Sequence, residues 1–270
     1  MILAVVALAG AVLCYGVAGD RLSVGAQAAG PTLRSRAWWT GTGLQAGAFL
    51  LALVARRELP LLVVQSAIVA ALAVPAVLQR LTGTRRWGRG EVLAVVGTIA
   101  GLALLSAATL TGPAVVRGGA VLGWLAAGLL VAVVGVLLPP STWVAGTLAG
   151  IAFSVGAVGA RVLVSELPTR WWQVWELPAS SWLAGALTAG GLLLGQLHLT
   201  RGLTGAPAVP VLAIMYVVST IAPAAVGHWL LAEGVRPGWG IPAVAGCALA
   251  LVAAVRLLGT GREQAAPASG

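Results

Sequence analysis

The sequence predicts an all-α fold, a polytopic transmembrane bundle of about nine spans, from three observations. First, 59% of the 270 residues are hydrophobic and only 9% are charged, where an ordinary soluble domain carries about 25% charged residues. Mean hydropathy is +0.99, more apolar surface than one water-soluble core can bury. Second, no charge interrupts residues 37–55, 59–79, 92–116, 118–160, 177–200, 202–232 or 237–255, and a bilayer-spanning helix needs about 20 such residues. Third, "PPST" at 139–142 divides the 43-residue run 118–160, which would be about 65 Å long as one helix, twice the thickness of a hydrocarbon core. Proline lacks the N–H and restricts the residue before it, so that run is two spans.

The first span covers 2–18. No basic residue precedes it, no small-x-small cleavage site follows, and Leu13 spoils "AVLC" as a lipoprotein box, so it is read as retained. Residues 19–37 are too polar to span, and spans at 38–55 and 59–79 follow. The stretch "RLTGTRRWGRGE" at 80–91 has four arginines. It lacks the lysine and spacing of a phosphate loop, so it is read as a headgroup-facing connection with Trp87 at the interface and Glu91 starting the next helix. Spans at 92–110, 118–138 and 142–160 come next. The connection 161–179, with Trp171, Trp172 and Trp175, is read as an interfacial anchor, with a lid over a substrate entrance as the sharper alternative. Spans at 180–200, 208–231 and 239–255 complete the count, and 259–270 is read as a disordered cytoplasmic tail.

The net charge of +9 comes from sixteen arginines and no lysine against seven acids, placed between the apolar runs. That pattern belongs to bilayer edges rather than to a nucleic-acid groove. The absence of lysine beside abundant Ala, Gly and Val is associated with high-GC bacterial genomes. With the N-terminus outside, ten arginines are cytoplasmic and six are not (Arg56, Arg57, Arg117, Arg161, Arg170 and Arg236). This favours an inner-membrane protein with the N-terminus out and the C-terminus in. Cys14 and Cys247 lie in apolar runs and imply neither a disulfide framework nor a metal cluster.

At a constant offset of 148, Gly43 falls on Gly191, Gly47 on Gly195, Pro75 on Pro223 and Gly90 on Gly238. The matched segments are five spans apart, an odd displacement that reverses direction across the membrane, as in an inverted repeat. The repeats are 1–110, with four spans, and 111–258, with five. "GLQAG" at 43, "GTIAG" at 97, "GAVLG" at 119, "GTLAG" at 146 and "GLLLG" at 191 are of the GxxxG type, which lets helix backbones approach closely in lipid.

The segment "LPLLVVQSAIVAALAVPAVLQRLTGTRRWGRGEVLAVVGTIAGLALL" at 59–105 and its second copy, with "LLAEGVRPGWG" at the same junction, resemble the drug/metabolite transporter superfamily, EamA-like branch. The resemblance implies an inverted repeat of that family's type, a permease that works by alternating access, and no cofactor. The family usually has ten helices; the missing one here would be the second, which places the N-terminus outside.

Polar residues within the spans are the candidates for a site. Gln65 and Ser66 lie in the third span; Tyr216, Ser219 and Thr220 share one face of the eighth, its repeat mate. With Gln45 they are the candidate substrate-binding residues for a small neutral or zwitterionic metabolite or drug. His198 and His228 are the candidate proton relay, each near a span end. No Asp, Glu or Arg is near the middle of any span, which disfavours proton exchange against an organic cation and transport of a hard dication. No metal site is expected. The expected partners are the lipid bilayer and a small-molecule substrate, with a homodimer left open and no nucleic acid. Rival classes are an accessory or structural subunit and an intramembrane serine enzyme using Ser154 with His198 or His228; no catalytic residue is otherwise indicated.

Overall fold

The computed structural model describes residues 1–28, 30–74, 88–110, 119–167, 171–205 and 208–263. Among these the chain forms nine α-helices and no strand. They are α1 (Ile2–Gln27), α2 (Arg36–Arg56), α3 (Leu61–Val69), α4 (Arg89–Ala108), α5 (Ala120–Gly135), α6 (Thr142–Glu166), α7 (Ala179–Gly205), α8 (Ala208–Leu230) and α9 (Gly240–Glu263). Pro75, the arginines at 80, 85 and 86, Trp87, Arg117 and Arg170 lie outside the described residues.

Among the described residues four helices are long and apolar enough to cross a membrane: Ile2–Gln27, Thr142–Glu166, Ala179–Thr204 and Val211–Leu230. Val92–Ala108, Ala120–Gly135 and Gly240–Ala253 are apolar but shorter. Of the nine expected spans, four are matched on length and composition among the described residues. In the third expected span the α-helix Leu61–Val69 tightens into a 3-10 turn at Ala70–Ala73, and the rest of that span from residue 75 lies outside the described residues. Two helices run further than their charges predict, α1 through Asp20 and Arg21 to Gln27, and α9 to Glu263, into the segment read as a tail.

The helices sort into two compact units, and the chain passes from one to the other after residues 7, 51, 65, 109 and 234. The first unit contains Met1–Ala7, Ala52–Gln65 and Leu110–Gly234, and its body is the four helices α5 to α8. Ser141 caps α6, its hydroxyl accepting from Val144 N at 3.2 Å, directly after the Pro139–Pro140 break. α6 and α7 run antiparallel, with Gly159 against Thr188 and Gly202 against Ala145. Midway a Cβ on Gly191 would stand 2.7 Å from Ala152 O, so glycine sets this backbone approach. α8 runs parallel to α6, since Gly146 meets Val211 and Gly150 meets Val218. α5 is antiparallel to α6, with Gly135 on Leu148 and Gly128 on Val155. Direction thus alternates from α5 to α8. Leu61, Leu125, Val158, Val162, Val226 and Leu231 belong to the apolar core of this unit.

The second unit contains Leu8–Leu51, Ser66–Thr109 and Val235–Gly270. Its α1 and α2 segments are antiparallel, with Gly25 against Trp38, Gly41 against Leu22 and Gly10 against Leu51. α4 and α9 are antiparallel as well: Gly97 meets Ala253, Gly101 meets Gly246 and Ala250, and Gly246 meets Leu105 N.

Candidate functional site

Three stretches of the first unit meet where α2 gives way to α3, where α6 nears its end, and just past α8. Arg161 Nε donates to Glu233 Oε1 at 2.9 Å, and Leu61 N donates to Glu233 Oε2 at 2.8 Å. Arg161 Nη1 donates to Arg56 O. Arg161 and Arg56 are 1% and 2% exposed and the Glu233 side chain 9%, so the pair is held away from water.

Local structure explains why these atoms meet. Pro60 has no N–H to satisfy, and Leu61 N, the first free donor of α3, has no carbonyl within its own helix to bond. Arg56 O is one of the last carbonyls of α2 and equally lacks a helical partner. The ion pair completes both ends, with the anion at the N-terminus of α3 and the cation at the C-terminus of α2, each on the favourable pole of the helix dipole. Glu233 reaches this place because α8 unwinds through Leu231 N to Val226 O at 3.3 Å and Glu233 N to Gly227 O at 2.9 Å. Ala232 takes a left-handed φ of 53° to make the turn, a conformation costing an L-residue about 1–2 kcal/mol. A Cβ on Gly227 would lie 2.6 Å from Glu233 Oε2, so a side chain there would displace the carboxylate from its present position.

Burial raises the Glu233 carboxyl above its ordinary value of 4.5, while the Arg161 charge and the hydrogen bonds from Leu61 and Arg161 pull it down. His228 is exposed, with Nδ1 3.4 Å from Glu233 O. Removing one partner of such a buried pair costs about 3–5 kcal/mol, although replacing both by apolar residues is often neutral. The pair is therefore not the cheapest way to hold three chain segments together.

The residues expected to form a site are placed as follows. Gln65, Tyr216 and Thr220 are buried in the first unit, with Ser219 half-buried, and Ser66 and Gln45 belong to the second. Thr220 Oγ1 and Ser219 Oγ both donate to Tyr216 O, at 2.8 and 3.3 Å, and Ser66 Oγ stands 4.0 Å from Cys247 Sγ. His198 is buried, with Nε2 2.9 Å from Ala132 O, and serves as an interhelical tie between α7 and α5. Ser154 Oγ donates to Gly150 O at 2.7 Å and lies 3.5 Å from Val218 O, so its proton is turned toward carbonyls rather than a histidine. No group of three or more His, Cys, Asp or Glu fit to hold a metal occurs among the described residues.

Comparison of the chain with protein-family models, with curated proteins and with solved structures gave no match. The site is therefore read from its own chemistry.

Sequence reasoning passes over Arg56, Arg161 and Glu233. The two arginines flank apolar runs and so read as orientation signals, and Glu233 enters only as one letter of "LLAEGVRPGWG". One signal is present: Glu233 is the sole acid between Glu176 and Glu263. The expectation about carboxylates concerns the middle of the spans, whereas the buried Glu233 carboxylate lies just beyond the end of α8.

Proposed function

We propose that the chain is an integral membrane transporter of the drug/metabolite transporter type, moving a small neutral or zwitterionic metabolite or drug by alternating access. The observation that carries this reading is the desolvated Arg161–Glu233 pair completing two helix ends. Ionisable groups kept out of water among apolar helices are expensive, and function is the usual reason for keeping them. The α4–α9 pair adds support. The offset of 148 makes these helices repeat mates, and they pack antiparallel with Gly101 and Gly246 approaching each other reciprocally, as an inverted repeat requires. Gln65, Tyr216 and Thr220 supply buried polar groups on helices of the first unit, and buried Ser66 and half-buried Gln45 do so on helices of the second. The cell membrane, with the N-terminus outside, is the location consistent with the arginine tally.

A second reading, a subunit that transports nothing, has an observation of its own. The hydroxyls of Thr98, Ser154, Thr188 and Thr220 all donate to carbonyls four residues back in their own helices, as structural residues do. Proteoliposomes screened for uptake and efflux, with and without a pH gradient, separate the two. Under the transport reading, Gln65→Ala and Tyr216→Phe lower a gradient-sensitive flux at least fivefold while the protein stays folded. Absence of gradient-sensitive flux for any metabolite, drug or lipid precursor tested would reject it.

A further inference from the structure

The stretch Ala52–Gln65 belongs to the first unit, whereas the chain on both sides of it, Leu8–Leu51 and Ser66–Thr109, belongs to the second. Arg161 and Glu233 bind this stretch to the body of the first unit through Arg56 O and Leu61 N. Beneath the bonds are apolar side chains, with Leu61 fully buried in one cluster with Val158, Val162, Val226 and Leu231. Gly234, the last residue of the unit before the chain leaves it, accepts from Leu110 N at 3.0 Å.

We propose that the Arg161–Glu233 pair is a releasable latch on this end of the first unit, whose parting uncovers the apolar cluster around Leu61 and admits water there. Its chemistry suits release better than permanent bracing. A charged pair taken out of water regains hydration when it parts, which offsets much of the lost attraction, whereas an apolar plug gains nothing by opening. Interfaces that re-pair charges in this way have two discrete arrangements rather than a continuous deformation. The closed state also holds Ala232 at φ 53°, so relief of backbone strain favours letting the carboxylate go. The latch rests on the transport reading only for what its opening serves.

The test is the labelling rate of Leu61→Cys by a membrane-impermeant maleimide at fixed pH, in the full chain with Cys14→Ala and Cys247→Ala. In this parent, the thiol introduced at position 61 reacts slowly. Glu233→Gln removes the charge and keeps the shape; Gly227→Ala keeps every charge and removes the space for the carboxylate. Both variants should label at least ten times faster than the parent while remaining monodisperse and helical, and Gly43→Ala, which has open space around it, should leave the rate unchanged. An unchanged rate in both would overturn the proposal. So would loss of the folded, monodisperse chain in both, since that is how a static brace behaves. Because labelling needs no solute, a working latch without flux rejects the transport reading alone, and flux with unchanged labelling rejects the latch alone.

Discussion

Replacing Gly101 by alanine tests the packing logic of the second unit at its tightest contact. A Cβ there would stand 2.6 Å from Gly246 O, 2.7 Å from Ala250 N and 3.0 Å from Ala250 Cβ, against an ordinary contact of 3.4–4 Å. Two of these atoms are backbone and cannot rotate away, so α4 and α9 must part by about 0.8 Å, the difference between 3.4 and 2.6 Å. Overpacking of this kind costs about 1–3 kcal/mol, while alanine returns about 0.5–1 kcal/mol through its better helix propensity. The expected net loss is about 1–2 kcal/mol, or about 2–8 °C in Tm for a chain of this size. Thermal unfolding in detergent, followed by circular dichroism, measures it. Gly43→Ala is the matched control: its Cβ meets nothing within 4 Å, so only the propensity gain remains and the Tm should hold or rise. Gly246→Ala should resemble Gly101→Ala, because its Cβ would lie 2.8 Å from Gly101 O. The double variant should lose less than the sum, since helices parted by one methyl accommodate the other. A Gly101→Ala protein that melts at or above the parent temperature would refute the argument.

Two further predictions concern the first unit. Burial holds the Glu233 carboxyl above its ordinary value of 4.5, so the folded chain keeps this proton after the unfolded chain has lost it. The contribution is therefore fully present below pH 4.5 and is lost as pH rises through the folded value, with a slope of at most about 1.4 kcal/mol per pH unit. Chemical denaturation across that range should show stability falling with pH in the parent and a flatter dependence in Glu233→Gln; identical slopes would remove Glu233 as the cause. The alternating directions of α5 to α8 predict that cysteines at exposed positions 57 and 175 label from one face of a sealed vesicle and a cysteine at 138 from the other. Labelling of 138 and 175 from the same face would break the alternation.

Much of the helical framework can be read from composition, because the absence of charge over long runs depends on residues taken one at a time. The break before α6 is equally legible: "PPST" stops one helix, and its serine caps the next. The GxxxG pairs are legible as a tendency. "GTIAG" at 97 and "GLLLG" at 191 do sit at close helix crossings, whereas Gly43 and Gly47 of "GLQAG" meet nothing within 4 Å, because a sequence cannot say which face of a helix has a neighbour. Helix ends are less legible. Counting charges stops the first span before Asp20, but α1 carries that charge in its last turns. The candidate site is hardest to see. Arg56, Arg161 and Glu233 each look like ordinary flanking charges in one dimension, and their meaning lies in a pairing across 72 and 105 residues of chain.

That separation bears on how the protein is made. Leu61 waits for Glu233, 172 residues further along the chain, to complete its hydrogen bond. At a synthesis rate of about 5–20 residues per second the wait is about 10–30 s. During it, α2 and α3 stand with open ends, one offering a carbonyl and the other an N–H. Arg161 arrives first and closes the end of α2, then Glu233 closes α3 and neutralises Arg161.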